Sequence, residues 1–564
     1  MNQRLLYNGF IRSVEKYPDK IAVKDQHCQL TYKQLFDKAC SVADILISLK
    51  ITQQIVPIYG EKSIESIAAI LGILFSNNTY SALNINQPAK RLDDQFSILD
   101  SKIIILTQIP FKNQQEIKKS EFFHKFVLNI SSNHFCKYFK GHHYLEIDAA
   151  TRINAPLVYS SQNIAYTLFT SGSTGIPKSA CVSHENACEA IEMFQKHIQL
   201  TDTDRISNQA PLCFDISVLD IFSTFNVGAT LNLISPQTTA QPHLFFKALN
   251  EFQSTSLFVV PSTLKFIIDN ASGPIRCPSL QRLLSSGEPL SLNLLKKTYE
   301  LFPKIDIWNL YGATEMPYVL AEKINKQSLA NLQEFSLKDD SIDISLVDTF
   351  YNEEKDKEIG ILAVKGPTIF SGYKEKHKKS VTSPLTAQGY YITGDLASID
   401  TGGRVTIFGR ADRQIKIKGY RVDLNEIELI LRKNTAIKEV AVIYDSISQK
   451  LSAFFEFKKN KKIKEQGICR FVADNLPIFA QPHNLFKIKK MPLTASGKID
   501  RQKLSEVDKE FILIEQEDQV NLSVADTLVA IWSDVLRLDQ VGIHDNFFKI
   551  GGHSLLATQV ISRI

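Results

Sequence analysis

The stretch TLFTSGSTGIPKSA (residues 167–180) runs from a short apolar segment, YTLF, into a loop rich in glycine, serine and threonine that closes on proline and lysine. A polar surface turn is one reading of it. Its position after an apolar strand supports another, because a glycine-rich loop there presents backbone N–H groups that can wrap phosphate oxygens. The Ser and Thr hydroxyls and one lysine charge would assist. The spacing excludes a Walker A loop, which needs Gly-Lys-Ser/Thr, since Ile176 and Pro177 separate Gly175 from Lys178. Taken alone, the loop allows either reading, and the rest of the chain has to decide.

Outward from the loop, β-rich apolar runs alternate with helical patterns up to about residue 365. IIILT (103–107), SLFVVP (256–261) and IDIWNLYG (305–312) read as strands; HLFFKALNEFQ and LNLLKKTYELF read as helices. Such alternation predicts an α/β body with largely parallel sheets. Residues 360–407 turn strand-rich with repeated Gly turns, which predicts a small antiparallel β unit on that body. A smaller α+β segment follows, with the helix NEIELILRK and the strands EVAVIYD and LSAFFEFKK. IEQEDQVNLS (514–523) reads as a linker. Beyond it Ser523 and Asp526 open a helix whose apolar face carries Leu528, Ile531, Trp532, Val535 and Leu536. The expected domains are 1–411, a large N-terminal body; 412–510, a small mobile α+β subdomain; 511–522, a linker; and 523–564, a partial helical domain.

At 564 residues the chain is too long for one core. Its 44% hydrophobic and 22% charged content is that of a globular protein, and a net charge of only +5 argues against a nucleic-acid partner. The densest basic run, KKNKKIK (458–464), reads as a solvated turn. Eight cysteines fall singly between Cys28 and Cys469 with no CxxC pair, which fits reduced thiols rather than a disulfide framework or a zinc site. The charged N-terminus lacks a signal-peptide core, and no apolar run reaches the ~18–20 residues a bilayer span requires. The expectation is a cytoplasmic protein with no membrane partner.

The loop is one of a series. LTYKQL (30–35), FDISVLD (214–220), NLYGATE (309–315), YITGD (391–395), GRADRQIKIKGYRVDLNEIE (409–428) and PLTASGKIDR (492–501) occur in the order found in adenylate-forming enzymes. That superfamily includes nonribosomal peptide synthetase adenylation domains, acyl-CoA synthetases and luciferases, and this chain resembles it to about residue 505. The resemblance implies a ligase in which a carboxylate attacks the α-phosphorus of ATP, expels pyrophosphate and leaves an acyl-adenylate. Both reactants are anionic, so charge must be neutralised and the two held in line.

By that resemblance, Thr170, Ser171, Gly172, Ser173, Thr174, Gly175 and Lys178 form the phosphate loop. Gly287, Glu288, Pro289, Asn309, Gly312 and Arg410 belong to the nucleotide site. Glu315 would bind Mg²⁺, Thr314 would contact the α-phosphate, Tyr311 would stack on adenine and Asp395 would accept from the ribose hydroxyls. Lys498 would stabilise the transition state. Asp412 would be the hinge about which the small subdomain swings, bringing either Lys498 or the loop at Lys418 and Gly419 to the site.

In amino-acid-activating relatives the aspartate of FDISVLD pairs with the substrate ammonium, so Asp215 implies an amino acid; a carboxylate facing an apolar pocket is costly without a cation. The aligned pocket positions Ile216, Leu219, Phe258, Leu284, Ser286, Leu310, Tyr318 and Val319 are mostly bulky and apolar. They imply glycine or alanine, with a medium aliphatic residue as runner-up. FDISVLDIF and LSSGEPL also look like D-alanine–carrier-protein ligases, which leaves handedness open. Three positions depart from the family pattern: Ala313 where proline is commoner, Ser179 for glycine, and Asn78 for glycine.

DNFFKIGGHSLLATQV (545–560) resembles the attachment site of a peptidyl carrier domain, with Ser554 accepting 4′-phosphopantetheine from a separate transferase. Two helices alone bury little core, so the chain reads as a piece of a longer synthetase or as one with a vestigial carrier, in which adenylation is expected and loading in cis is not. Implied partners are a small amino acid, a carrier in cis or trans, the transferase and other synthetase modules. Two other readings stay open: an acyl- or aryl-CoA ligase of the same superfamily, and a degenerate homologue without catalysis.

Overall fold

The computed structural model describes residues 4–108, 126–131, 134–138, 144–146, 160–171, 177–270, 277–324, 332–352, 355–376, 378, 380–417, 419–445, 450–458, 465–494 and 499–512, with a few positions between 529 and 542. The chain divides into two compact units, one of residues 1–434, 442–451 and 473–482, the other of residues 435–441, 452–472 and 483–564.

The first unit is α/β. Its nine-stranded sheet has a parallel centre, in which Arg205–Asn208 lies between Thr230–Leu233 and Ser256–Phe258, followed by Arg282–Ser286 and Asp306–Ala313. Antiparallel strands finish both edges. A ten-stranded sheet has a parallel core of Ile55–Tyr59, Thr79–Ala82 and Ile103–Leu106, and Ile164–Thr170 turns back there into the antiparallel Lys178–Ser183. Parallel strands buried on both faces read as continuous apolar runs, which is why IIILT and SLFVVP were recognisable. The expected helices form at Pro242–Glu251 and Leu292–Leu301. Helix starts follow side-chain chemistry: Thr31 and Ser183 make capping boxes with Gln34 and Asn186.

The strand-rich region is organised differently from the expected unit beginning at residue 360. The five-stranded antiparallel sheet recruits Glu334–Phe335 and Asp343–Asn352 from before it, while Gly372–Lys374 and Val381–Thr382 join the ten-stranded sheet beside Lys178–Ser183. Local Gly-turn patterns give strand direction but not sheet membership.

In the second unit, Ser452–Glu456 pairs in parallel with Asn484–Ile488, which pairs antiparallel with Lys509–Phe511. Val529, Ile531–Ser533 and Leu536 are helical. Among the described residues no helix is long and apolar enough to cross a membrane.

The carboxyl ends of several parallel strands converge on one cleft in the first unit, the place where open α/β sheets bind ligands. Gly312 shapes its rim. A Cβ there would lie 2.6 Å from the Pro317 carbonyl oxygen and 2.9 Å from that of Met316, so only glycine lets Tyr311–Thr314 turn so close to the next strand. Gly312→Ala is expected to destabilise the first unit by about 1–3 kcal/mol, read as a lower denaturation midpoint; an unchanged midpoint would show that the turn yields without strain.

Candidate nucleotide and substrate site

The cleft is lined by the strand ends themselves: Thr170 and Ser171, Phe258 and Val260, Ser286 and Gly287, and Leu310 with Gly312 to Thr314. Thr170 closes its strand opposite Lys178, so the two ends of the glycine-rich loop sit side by side. Gly172, Ser173, Thr174 and Gly175 lie outside the described residues, as do Lys418, Lys498 and Ser554. The Ser171 hydroxyl is buried without a hydrogen-bond partner among the described residues. Lys178 holds its ammonium 5.3 Å from the centre of the Tyr373 ring.

A connected set of polar groups forms one wall. Tyr311 donates its hydroxyl to Asp395 at 2.5 Å, and Arg410 donates to the other Asp395 oxygen at 2.8 Å. Arg410 also forks onto Asp412, with contacts of 2.8 and 2.9 Å. Burial works against ionisation of Asp412, yet Arg410 and the Gln414 N–H hold its carboxyl below the usual carboxylate range. Each Asp395 oxygen keeps a second lone pair, so acceptor capacity remains. Asn309 is turned away and donates to the Leu332 carbonyl at 2.8 Å. Pro289 is exposed and does not line the cleft.

Glu288 has both oxygens engaged: Ser262 donates its backbone N–H and hydroxyl at 2.8 and 2.9 Å, and the Gly419 N–H donates at 2.7 Å. The hairpin that carries Gly419, strands Gln414–Ile417 and Tyr420–Asp423, therefore enters the cleft. Tyr420 is sandwiched by Phe479, stacked at 3.8 Å, and Phe214, at 4.6 Å.

Asp215 starts the helix Asp215–Val227 and accepts from the Ile216 N–H at 2.8 Å. Burial pushes its carboxyl above the ordinary carboxylate value, with the Lys416 charge opposing. Burial likewise pulls the Lys416 amine down, against the attraction of Asp395 and Asp215. Ile216, Leu219, Phe258, Ser286, Leu310 and Tyr318 surround the same end of the cleft and are all at least nine-tenths buried. Leu284 and Val319 are buried behind it. The Tyr318 hydroxyl is hydrogen-bonded to His197 Nδ1 at 2.7 Å.

Thr314 faces the cleft, but Glu315 is buried behind it at 1% exposure. Arg421 reaches both Glu315 oxygens with one nitrogen, 3.1 Å from each, and Tyr373 donates to one of them at 2.6 Å. Burial alone would raise this carboxyl, but the Arg421 charge and the Tyr373 hydroxyl hold it below the usual range. In this arrangement the Glu315 carboxylate already has its cation, and a metal ion does not fit on it unless Arg421 moves.

Arg421, Tyr373 and Lys416 were not singled out by the sequence reading. Two of them stood inside the quoted GRADRQIKIKGYRVDLNEIE, but nothing local to that stretch marks Arg421 as the partner of a glutamate 106 residues away. The departures from family pattern are absorbed locally. Ser179 is fully buried and its hydroxyl bonds to that of Thr167 across the strand pair. Asn78 donates to the Ile51 carbonyl at 2.8 Å and accepts from the Gln54 N–H at 3.0 Å.

The model of the AMP-binding enzyme family matches residues 10–374, and that of the phosphopantetheine attachment site matches residues 526–564. Among curated relatives, gramicidin S synthase 1 of Brevibacillus brevis is 30% identical over 572 residues, which covers 100% of this chain and 50% of the relative. Tyrocidine synthase 1 of Brevibacillus parabrevis is 29% identical, covering 99% of this chain and 50% of the relative. The chain thus spans half of these two relatives, and 12% of gramicidin S synthase 2 of Brevibacillus brevis, to which it is 28% identical.

Among solved structures, holo-PA1221, a nonribosomal peptide synthetase protein containing adenylation and PCP domains, superposes with a TM-score of 0.72 at 23% identity, over 99% of this chain and 92% of that one. The o-succinylbenzoate CoA synthetase of Bacillus subtilis gives 0.73 at 20% identity, over 90% of this chain and 99% of that one. Likeness at these identities establishes the adenylate-forming fold. With the family match spanning most of the first unit, the chain belongs to the AMP-binding enzyme family and is homologous to nonribosomal peptide synthetases, with a phosphopantetheine attachment site at residues 526–564.

Proposed function

We propose that this chain activates a small amino acid with ATP, forming an aminoacyl-adenylate and pyrophosphate, and passes the acyl group to a carrier thiol. The family implies ATP and Mg²⁺, and the attachment site implies 4′-phosphopantetheine. The observation that carries the amino-acid reading is Asp215: a half-buried carboxylate at the apolar end of the cleft that also holds Asp395 and Thr314. An ammonium group is the ligand that such a carboxylate favours.

The substrate carboxylate then points toward the nucleotide and attacks the α-phosphorus; the α,β P–O bond breaks and pyrophosphate leaves. The Ser171 hydroxyl and Lys178, with Thr170 and Thr174, would hold the β- and γ-phosphates, Tyr311 the adenine and Asp395 the ribose hydroxyls. Gly287 keeps φ +90° at its strand end, leaving the rim open to the nucleotide. Lys498 would bridge the attacking carboxylate and the α-phosphate, neutralising charge where it develops. Mg²⁺, when bound, neutralises phosphate oxygens. The phosphopantetheine arm, when attached at Ser554, supplies the acceptor thiol from a carrier in cis or trans, after modification by a transferase.

Glycine or alanine is favoured because the bulky Phe258, Leu310 and Tyr318 line the cleft and the Tyr318 hydroxyl is committed to His197. ATP–pyrophosphate exchange across D- and L-amino acids, fatty acids and aryl acids tests the reading. It should peak with glycine or one alanine enantiomer; exchange only with fatty or aryl acids would replace it with an acyl-CoA ligase, and none with any acid would indicate a non-catalytic homologue. Asp215→Ala should lower kcat/KM for the amino acid by about 3–5 kcal/mol, on the order of 10²–10⁴-fold, chiefly through KM. A KM equal to wild type would remove the ammonium from Asp215. Lys498→Ala should slow adenylate formation by at least about 10²-fold with ATP affinity by equilibrium dialysis nearly unchanged; an undiminished rate would take that lysine out of the chemistry.

A further inference from the structure

One of the bulky side chains that line the cleft has a polar tip. Tyr318, on strand Met316–Lys323, is 1% exposed, so its hydroxyl needs a partner inside the protein. Among the described residues that partner is His197 Nδ1, at 2.7 Å. Burial holds the tyrosine in its protonated form. Burial and the Lys196 charge also pull the His197 imidazole below its ordinary value, against the opposing Asp339. The imidazole is therefore neutral at pH 7, with Tyr318 as the donor and the Nδ1 lone pair as the acceptor, which puts the ring proton on Nε2.

His197 itself does not line the cleft. It is half-buried in the last turn of helix His184–Ile198, which packs against the strand that carries Tyr318. Its neighbour Lys196 pairs with Asp339 at 2.8 Å. Phe194, three residues earlier and so on the same helix face, meets Tyr318 edge-on at 5.6 Å and lies nearly parallel to Phe258 at 6.5 Å. One helix turn thus backs two of the rings that line the cleft, Phe258 by packing and Tyr318 by packing and a hydrogen bond. Packing alone lets a ring slide, whereas a directional bond to an imidazole fixes where its tip lies.

We propose that His197 is a specificity-determining positioning residue: by accepting the Tyr318 hydroxyl it fixes the ring that limits the substrate side chain, and so keeps amino acids larger than alanine out. This rests on reading the cleft as an amino-acid site, and it deepens that reading, because an apolar pocket whose walls yield discriminates poorly against one extra methylene. A helix residue that served folding alone would, when replaced, slow the reaction with every amino acid alike. A residue that sets the position of Tyr318 changes the ratio between them.

The test is ATP–pyrophosphate exchange by the full chain, comparing alanine with 2-aminobutyrate of the same handedness, which differ by one methylene. In His197→Leu the kcat/KM ratio of 2-aminobutyrate to alanine should rise about 10-fold, mainly through a lower KM for 2-aminobutyrate, with KM for ATP at its wild-type value. His197→Asn, which keeps an acceptor near the Nδ1 position, should restore most of the wild-type ratio. Tyr318→Phe removes the same bond from the other side and serves if the leucine variant does not fold. It should shift the ratio in the same direction, and the double variant no further than either change alone. An unchanged or lower ratio in the folded single variants overturns the proposal.

A crystal structure of unliganded His197→Leu separates the inference from the reading beneath it. A Tyr318 ring displaced from its wild-type position supports the proposal, and a ring that stays in place overturns it, whichever acid the chain activates. Wild-type exchange with no amino acid overturns the proposed function instead.

Discussion

Three acidic side chains, Asp215, Glu315 and Asp395, converge around one cleft at the carboxyl ends of parallel strands, and each is met there by a positive group. Arg410 bonds Asp395, Arg421 straddles Glu315, and Lys416 lies within electrostatic reach of Asp215. In a partly desolvated site the attraction between such groups is strong and the penalty for a lone charge is stronger. The surrounding architecture serves this constraint. The sheets bring the strand ends together, Gly312 lets the Tyr311–Thr314 turn lie close to the following strand, and the 414–423 hairpin supplies two of the three cations.

Much of this was legible in the sequence, for identifiable reasons. Parallel strands buried on both faces leave unbroken apolar runs, so Ser256–Phe258 and Asp306–Ala313 announced themselves, and the glycine-rich loop was recognisable because a strand delivers it. The cleft residues Asp215, Thr314, Asp395 and Arg410 lay in motifs whose order along the chain is that of the family. Their meeting in space follows from a topology in which strands and helices alternate, so that several loops at the carboxyl ends of the strands face the same cleft.

What the sequence concealed was pairing across distance. Arg421 and Glu315 are 106 residues apart, and nothing local to either says that one neutralises the other. The same holds for Tyr373, which reaches Glu315 from a strand that the Gly-turn pattern had assigned to the antiparallel unit and that instead borders Lys178–Ser183. Glu288 and Asn309, grouped with the nucleotide residues by motif, spend their polar atoms on Ser262, Gly419 and Leu332. Neither side chain lines the cleft, so motif membership did not foretell how these two are used. The substitutions Ser179 and Asn78 illustrate the converse: each breaks a family pattern and each finds partners within its own strand pair or turn.

The central claim is that Asp215 exists to meet an ammonium group inside a nucleotide cleft. The most direct measurement is a crystal structure of the chain with a non-hydrolysable sulfamoyl analogue of alanyl-adenylate. The account predicts the alanyl nitrogen within about 3 Å of an Asp215 oxygen and the ribose hydroxyls on Asp395. An analogue bound with its ammonium directed to solvent, away from Asp215, would contradict it.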